Sequence, residues 1–191
     1  MVFTDARSKN IVFVAHCLLN QNSISDGTAE YPGSIRAIID VLCKSDVGIV
    51  QMPCPELLCL GLDRGNVDGA ASPVVEENTR IRIMMGRNSA AEKMRRLVGD
   101  LVWQISEYRQ YGFNVRGIIG VNRSPSCGVE TTSKNNREVK GEGVFIEALR
   151  NELGKKRMHP RIVGIKALKV EKAVESIRQL IDGTRERDPS R

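Results

Sequence analysis

Four short apolar runs punctuate the chain: NIVFVA at 10–15, VGIVQM at 47–52, RGIIGV at 116–121 and RIVGI at 161–165. Each is continuous rather than alternating with polar residues, the pattern of strands covered on both faces of a parallel sheet. Helical periodicity fills the intervals. SIRAIIDVLCK sets Ile35, Ile38, Ile39 and Leu42 on one face behind Pro32, a helix-start signal. From Ser89 to Tyr111 an apolar stripe recurs at Met94, Leu97, Val98, Leu101, Val102, Ile105 and Tyr108, and Gly112 is placed to end it. GVFIEALRNELG carries Phe145, Ala148, Leu149 and Leu153, with Gly154 as the stop, and VEKAVESIRQLI carries Val170, Ala173, Val174, Ile177 and Ile181. Strand and helix alternate, which predicts an α/β fold: a Rossmann-like, open and mainly parallel sheet with helices on both faces.

A chain of 191 residues reads as one domain, here 1–183, able to bury a core without staples. Residues 184–191 read as a flexible basic tail. The net charge of +6 is a property of the C-terminal segment: Lys155 to Arg191 holds 11 basic and 5 acidic residues, while the first 154 positions balance. Such a segment predicts either a weak RNA contact or a solvated helix face. Only 4% of residues are aromatic, too few for an extended stacking platform for single-stranded nucleic acid. No signal-peptide core or membrane-length apolar run is present, so a soluble, cytoplasmic protein is expected, as monomer or dimer and without a membrane partner.

Five cysteines do not read as a disulfide framework. Cys17 follows the first strand by two residues, Cys54 the second by two, and Cys127 the third by six. Ligands of open α/β sheets bind outside the carboxyl ends of the strands, so three strands each bring one thiol to that edge. Pro53 and Pro55 flank Cys54, and Pro125 and Gly128 shape the turn around Cys127, which makes these loops rigid enough for a preorganised site. Cys43 is read as a core residue of its helix, and Cys59, five residues after Cys54, is open between a small packed hydrophobe and a further ligand. Three thiolates suit zinc or an iron–sulfur cluster. The nearest fourth zinc ligand, His16, adjoins Cys17 and on an extended chain points the other way, so a three-thiolate cluster with an open iron fits better.

The segments AHCLLNQNS, CPELLCLGLDRG and NRSPSCGV, in that order, resemble the DUF523 family, which includes the thiouracil desulfidases; the likeness covers about residues 10–153. It implies a [4Fe-4S] cluster held by Cys17, Cys54 and Cys127, with one iron not ligated by protein, and a small thiolated substrate. It also implies catalytic roles for Glu56, of CPE, and Ser124, of SPSCG. The commoner family pattern has glycine where Asn20 stands and a second cysteine where Ser23 stands. The polar residues Asn20, Asn22 and Ser23 after Cys17, together with Ser126, are candidate substrate contacts, and Asn and Ser also make ordinary turns. Glu56 could equally pair with Arg64.

The expected activity is thus a non-redox desulfidase that turns a thiocarbonyl into a carbonyl. A second expectation is a sulfur or cluster carrier that uses the basic C-terminal segment. A third is a thiol nucleophile at Cys127, which would need His16 or His159 as its base.

Overall fold

The computed structural model describes residues 3–183, so the expected tail at 184–191 lies outside the described residues. Strands β1 (Asn10–Val14), β2 (Gly48–Gln51), β3 (Asn114–Val121) and β6 (Ile162–Ile165) form a parallel sheet in the order β2-β1-β3-β6. Strands β4 (Thr131–Lys134) and β5 (Arg137–Lys140) form a separate antiparallel hairpin. Among the described residues seven α-helices accompany them: α1 (His16–Leu19), α2 (Arg36–Cys43), α3 (Pro55–Leu60), α4 (Val74–Met85), α5 (Asn88–Gln110), α6 (Val144–Lys155) and α7 (Val170–Asp182). Helix α2 packs on α7 and α5 on α6, while α5 and α7 both touch β3, so the sheet is covered on both faces. The fold is the Rossmann-like α/β arrangement that the continuous apolar runs predict.

Phe13, Ile118, Ile119, Phe145, Leu149 and Ile177 have no solvent exposure. Each such side chain contributes about 1.5–3 kcal/mol of transfer free energy. The apolar stripe of α5 turns inward as expected, with Val98, Leu101, Val102 and Ile105 buried, and the helix closes at Gly112 with φ 77°.

Two local expectations need correction. Helix α6 runs through Gly154 to Lys155, and the chain turns only at Arg157, φ 55°. Cys43 is exposed rather than in the core. The buried face of α2 is built from Ile38, Val41 and Leu42, continuing from Ile35. At ~100° per residue, Cys43 lies roughly 130° from the centre of that face.

The sheet order fixes where a ligand can sit. From β1 the chain passes first to β2 on one side and then to β3 on the other. The strand order therefore reverses at β1/β3, and a crevice opens at their carboxyl ends. Val14 pairs with both Gln51 and Ile119, which brings the ends of all three strands to one edge.

Candidate functional site

A cavity of about 360 Å³ opens at that edge, bordered by Cys17, Cys54, Cys127, Glu56, Ser124 and Ser126 among others. Each arrives by a short device. Cys17 is the second residue of α1, which starts directly after β1 and Ala15. Gln21 fixes the loop behind it, its Nε2 donating to the Cys17 carbonyl at 2.6 Å and its Oε1 accepting from the Glu30 amide at 3.1 Å. Cys54 is the N-cap of α3, and its Sγ accepts from the Leu57 amide at 3.5 Å. Cys127 is buried in the turn after β3, where Ser124 Oγ accepts from the amides of Cys127 at 2.9 Å and Ser126 at 3.3 Å. Asn122 closes the base of that turn, its Oδ1 accepting from the amides of Val129, Glu130 and Thr131.

The strand beneath the turn leaves no slack. A Cβ on Gly120 would lie 2.6 Å from both the Cys127 carbonyl oxygen and Val129 Cγ2. Gly120→Ala is expected to push the Cys127 turn out of place and lower stability by about 1–3 kcal/mol. Urea unfolding checks this, and an unchanged midpoint would refute it.

Glu56, in the first turn of α3, is 7% exposed and is the polar centre of the site. Its Oε1 accepts from Ser126 Oγ at 2.5 Å and from Ser124 Oγ at 3.4 Å; its Oε2 accepts from Ser25 Oγ at 3.3 Å and from Arg64 Nε at 3.4 Å. The ion pair with Arg64 and a place on the cavity wall are thus compatible. Arg64, only 1% exposed, also donates to the carbonyls of Ser23, Gly61 and Leu62 and approaches Cys54 Sγ at 3.8 Å. Its backbone is left-handed, φ 56°, and its carbonyl accepts from Arg80 Nη2 at 2.8 Å. Glu77 clamps Arg80 through both carboxylate oxygens and also accepts from Asn66. The loop presenting Arg64 is therefore anchored to α4.

Replacing one member of a buried ion pair leaves the other charge uncompensated, at about 3–5 kcal/mol. Arg64→Met is accordingly expected to lower unfolding free energy by that amount, read from denaturant curves. A loss below about 1 kcal/mol would show the pair to be dispensable.

Electrostatics of the thiols follow from burial. Removal from water, then the fields of Cys54 and Glu56, push the Cys17 thiol up to about 12. Cys127 is raised well above the usual thiol range by burial and by Cys17 and Cys54, and Cys54 by burial and Glu56. The α3 amide at Leu57 pulls the other way on Cys54 and is outweighed. Such a trio is neutral alone and becomes anionic when a bound cation deprotonates it. Among the described residues no three Cys, His, Asp or Glu side chains stand close enough to clasp a single ion. The three soft donors instead border a shared space, and donors of this type fit an iron–sulfur group.

The other expected residues divide. Ser23 and Ser126 border the cavity, whereas Asn20 and Asn22 are outside its lining. Asn20 Oδ1 accepts from the Asn22 amide at 3.1 Å, an ordinary Asx turn. His16 does border the cavity: α1 is helical where the chain was read as extended, so His16 and Cys17 are not on opposite sides. Burial and Arg64 hold its imidazole below the usual histidine range. Neither His16 nor His159 hydrogen-bonds Cys127, whose thiol meets Ser126 Oγ at 3.6 Å. Ser25 and Asn78 also border the cavity, and neither stands out from the sequence. Asn78 lies on α4, whose buried face carries Glu77 and Asn78 beside Ile81 and Met85 and so lacks a clean apolar stripe.

Fold and cavity together define a Rossmann-like α/β protein with three thiols and a buried carboxylate at its sheet switch point. The chain is 28% identical over 149 residues to an uncharacterized protein of Methanocaldococcus jannaschii, a match covering 78% of this chain and 81% of that one. No family model matches the chain, and no solved structure matches it.

Proposed function

We propose that the chain is a non-redox desulfidase, converting the thiocarbonyl of a thiouracil-like nucleobase or related small thioamide to the carbonyl with release of sulfide. In this reading Cys17, Cys54 and Cys127 hold a [4Fe-4S] cluster with one iron free of protein ligands. The observation that carries it is the convergence of three strand-end thiols, Glu56 and two serine hydroxyls on one cavity. When bound, such a cluster supplies a thiophilic Lewis-acid position.

The residues of the chain do the rest. Glu56 draws one proton from water as the water oxygen bonds to the thiocarbonyl carbon, acting as general base. Glu56 passes that proton to sulfur as the C–S bond breaks, the bonding pair leaving with sulfur as hydrosulfide, and the remaining hydroxyl proton passes through the carboxylate to the hydrosulfide as C=O forms. Water and thiocarbonyl thus become carbonyl and hydrogen sulfide, with no net oxidation. Ser126, at 2.5 Å from Oε1, and Arg64, beside Oε2, orient the carboxylate. Ser124 chiefly shapes the turn, because its oxygen accepts two backbone amides.

A carrier would expose its cargo beside a basic surface. Lys166 and Lys169 of the basic segment do border the cavity, but Glu56 and Arg64 are enclosed, and α7 mixes Lys172 and Arg178 with Glu171, Glu175 and Asp182. No helix among the described residues is long and apolar enough to cross a membrane.

The test is anaerobic reconstitution with iron and acid-labile sulfide quantitation, followed by addition of 2-thiouracil and assay of sulfide and uracil. About four irons per chain with sulfide release is the expected result. A reconstituted chain without iron would overturn the cofactor, and one with iron that desulfurates no thioamide would overturn the reaction.

A further inference from the structure

The geometry points to Asn78 as the residue that selects the substrate, by accepting a hydrogen bond from a ring N–H of a cyclic thioamide. This rests on the desulfidase reading of the cavity and names the edge of the substrate that the wall recognises.

Asn78 is 7% exposed and borders the cavity. Its orientation follows from a hydrogen-bond chain. Ser133, with no exposure, spends its only hydroxyl hydrogen on the Arg123 carbonyl at 2.8 Å. Ser133 Oγ can therefore only accept from Asn78, which must present its amide nitrogen, and Nδ2 donates to it at 3.3 Å. The oxygen is left pointing elsewhere, with no protein donor among the described residues. The oxygen is not fully enclosed, and the residue that carries it borders the cavity, the space in which a ligand donor could reach it.

A ligand that fills the cavity displaces water from this acceptor and must supply a donor in its place, because a desolvated carbonyl without one is unfavourable. The location suits substrate reading. The chain from Asn78 ends on the carbonyl of Arg123, the residue before Ser124, whose hydroxyl is 3.4 Å from Glu56 Oε1. One turn earlier on α4, Val74 also borders the cavity and offers an apolar surface beside the acceptor. A ring N–H next to the reacting carbon satisfies Oδ1; an N-alkylated ring leaves it unpaired and places a methyl group against it. Sites built to bond a polar hydrogen reject analogues lacking it more strongly than they reject a missing methylene.

The test reads binding without turnover, by calorimetry on reconstituted protein with uracil, 1-methyluracil and 3-methyluracil, the carbonyl counterparts of the thioamide. In the wild type one of the two methylations is expected to weaken binding at least ~10-fold. Asn78→Ala should bind uracil about 10-fold more weakly and lose that discrimination. Ser133→Ala frees the amide to rotate and also removes the donor to the Arg123 carbonyl; it should reduce the discrimination several-fold, and it serves if Asn78→Ala does not fold. Discrimination unchanged in either variant, or no binding of any uracil to the wild type, would overturn the assignment. Failure of sulfide release alone would sink the desulfidase reading while this measurement stands.

Discussion

Serine in place of Cys17, Cys54 or Cys127 is expected to yield a folded chain that takes up no cluster and releases no sulfide, while Cys43→Ser and Cys59→Ser keep both. The three thiols border the cavity, and neither Cys43 nor Cys59 does. Each of the three follows a different strand, so losing one removes a third of the proposed ligand set that no neighbour can replace: the hydroxyls of Ser124 and Ser126 are hard donors, poorly matched to iron held by sulfur. The fold should survive, because serine differs from cysteine in a single atom and, of the three, only Cys127 belongs to the buried core. Iron per chain and the visible absorption of anaerobically reconstituted protein are the readouts. Full iron content in any of the three variants, or its loss in the exposed Cys43 variant alone, would redraw the ligand set.

The strands that precede these cysteines were legible as short apolar runs bounded by turn residues; β1 and the end of β3 are buried as such runs predict, whereas β2, at the sheet edge, is only partly covered, with Gly48 and Gln51 exposed. Helices α5 and α7 were legible for the matching reason, each being half core and half solvent. Helix α4 was not. Its buried positions include Glu77 and Asn78, which answer to Arg80, Asn66 and Ser133 rather than to apolar neighbours. A helix that serves a polar site breaks the pattern by which helices are recognised. The β4–β5 hairpin was hidden similarly: TTSK and REVK lack apolar alternation, and its turn at Asn135 and Asn136, both with φ above 50°, spells Asn-Asn instead of the stronger Asn-Gly signal.

Within the site, residue types carried more information than their partners did. Glu56 stood out as a carboxylate beside a cysteine, and Arg64 as its bland alternative partner. The sequence could not show that both descriptions hold at once, since that depends on a loop folding back across eight residues with a left-handed Arg64. The two serines of the SPSCG turn were likewise visible as a pair, but their division of labour was not. The hydroxyl of Ser124 is engaged by two amides, and that of Ser126 is closest to the carboxylate.

Glu56→Gln provides the sharpest test of that arrangement. Glutamine keeps the shape of the side chain and an oxygen to accept from Ser126 and Ser124, but it cannot take a proton from water. Iron content is expected to match the wild type while sulfide release falls at least ~100-fold, the usual size of a general-base contribution. The substitution also strips Arg64 of its counter-charge. Three carbonyls, from Ser23, Gly61 and Leu62, still accept from its guanidinium, so the cation stays hydrogen-bonded and the destabilisation should be smaller than that of Arg64→Met. A rate loss with iron and fold intact assigns the proton transfer to Glu56. A variant that turns over at the wild-type rate would reduce Glu56 to the partner of a buried arginine, and the base would have to be sought among the other titratable groups of the wall, such as His16, whose imidazole is held below the usual histidine range, or the carboxylate of Glu138.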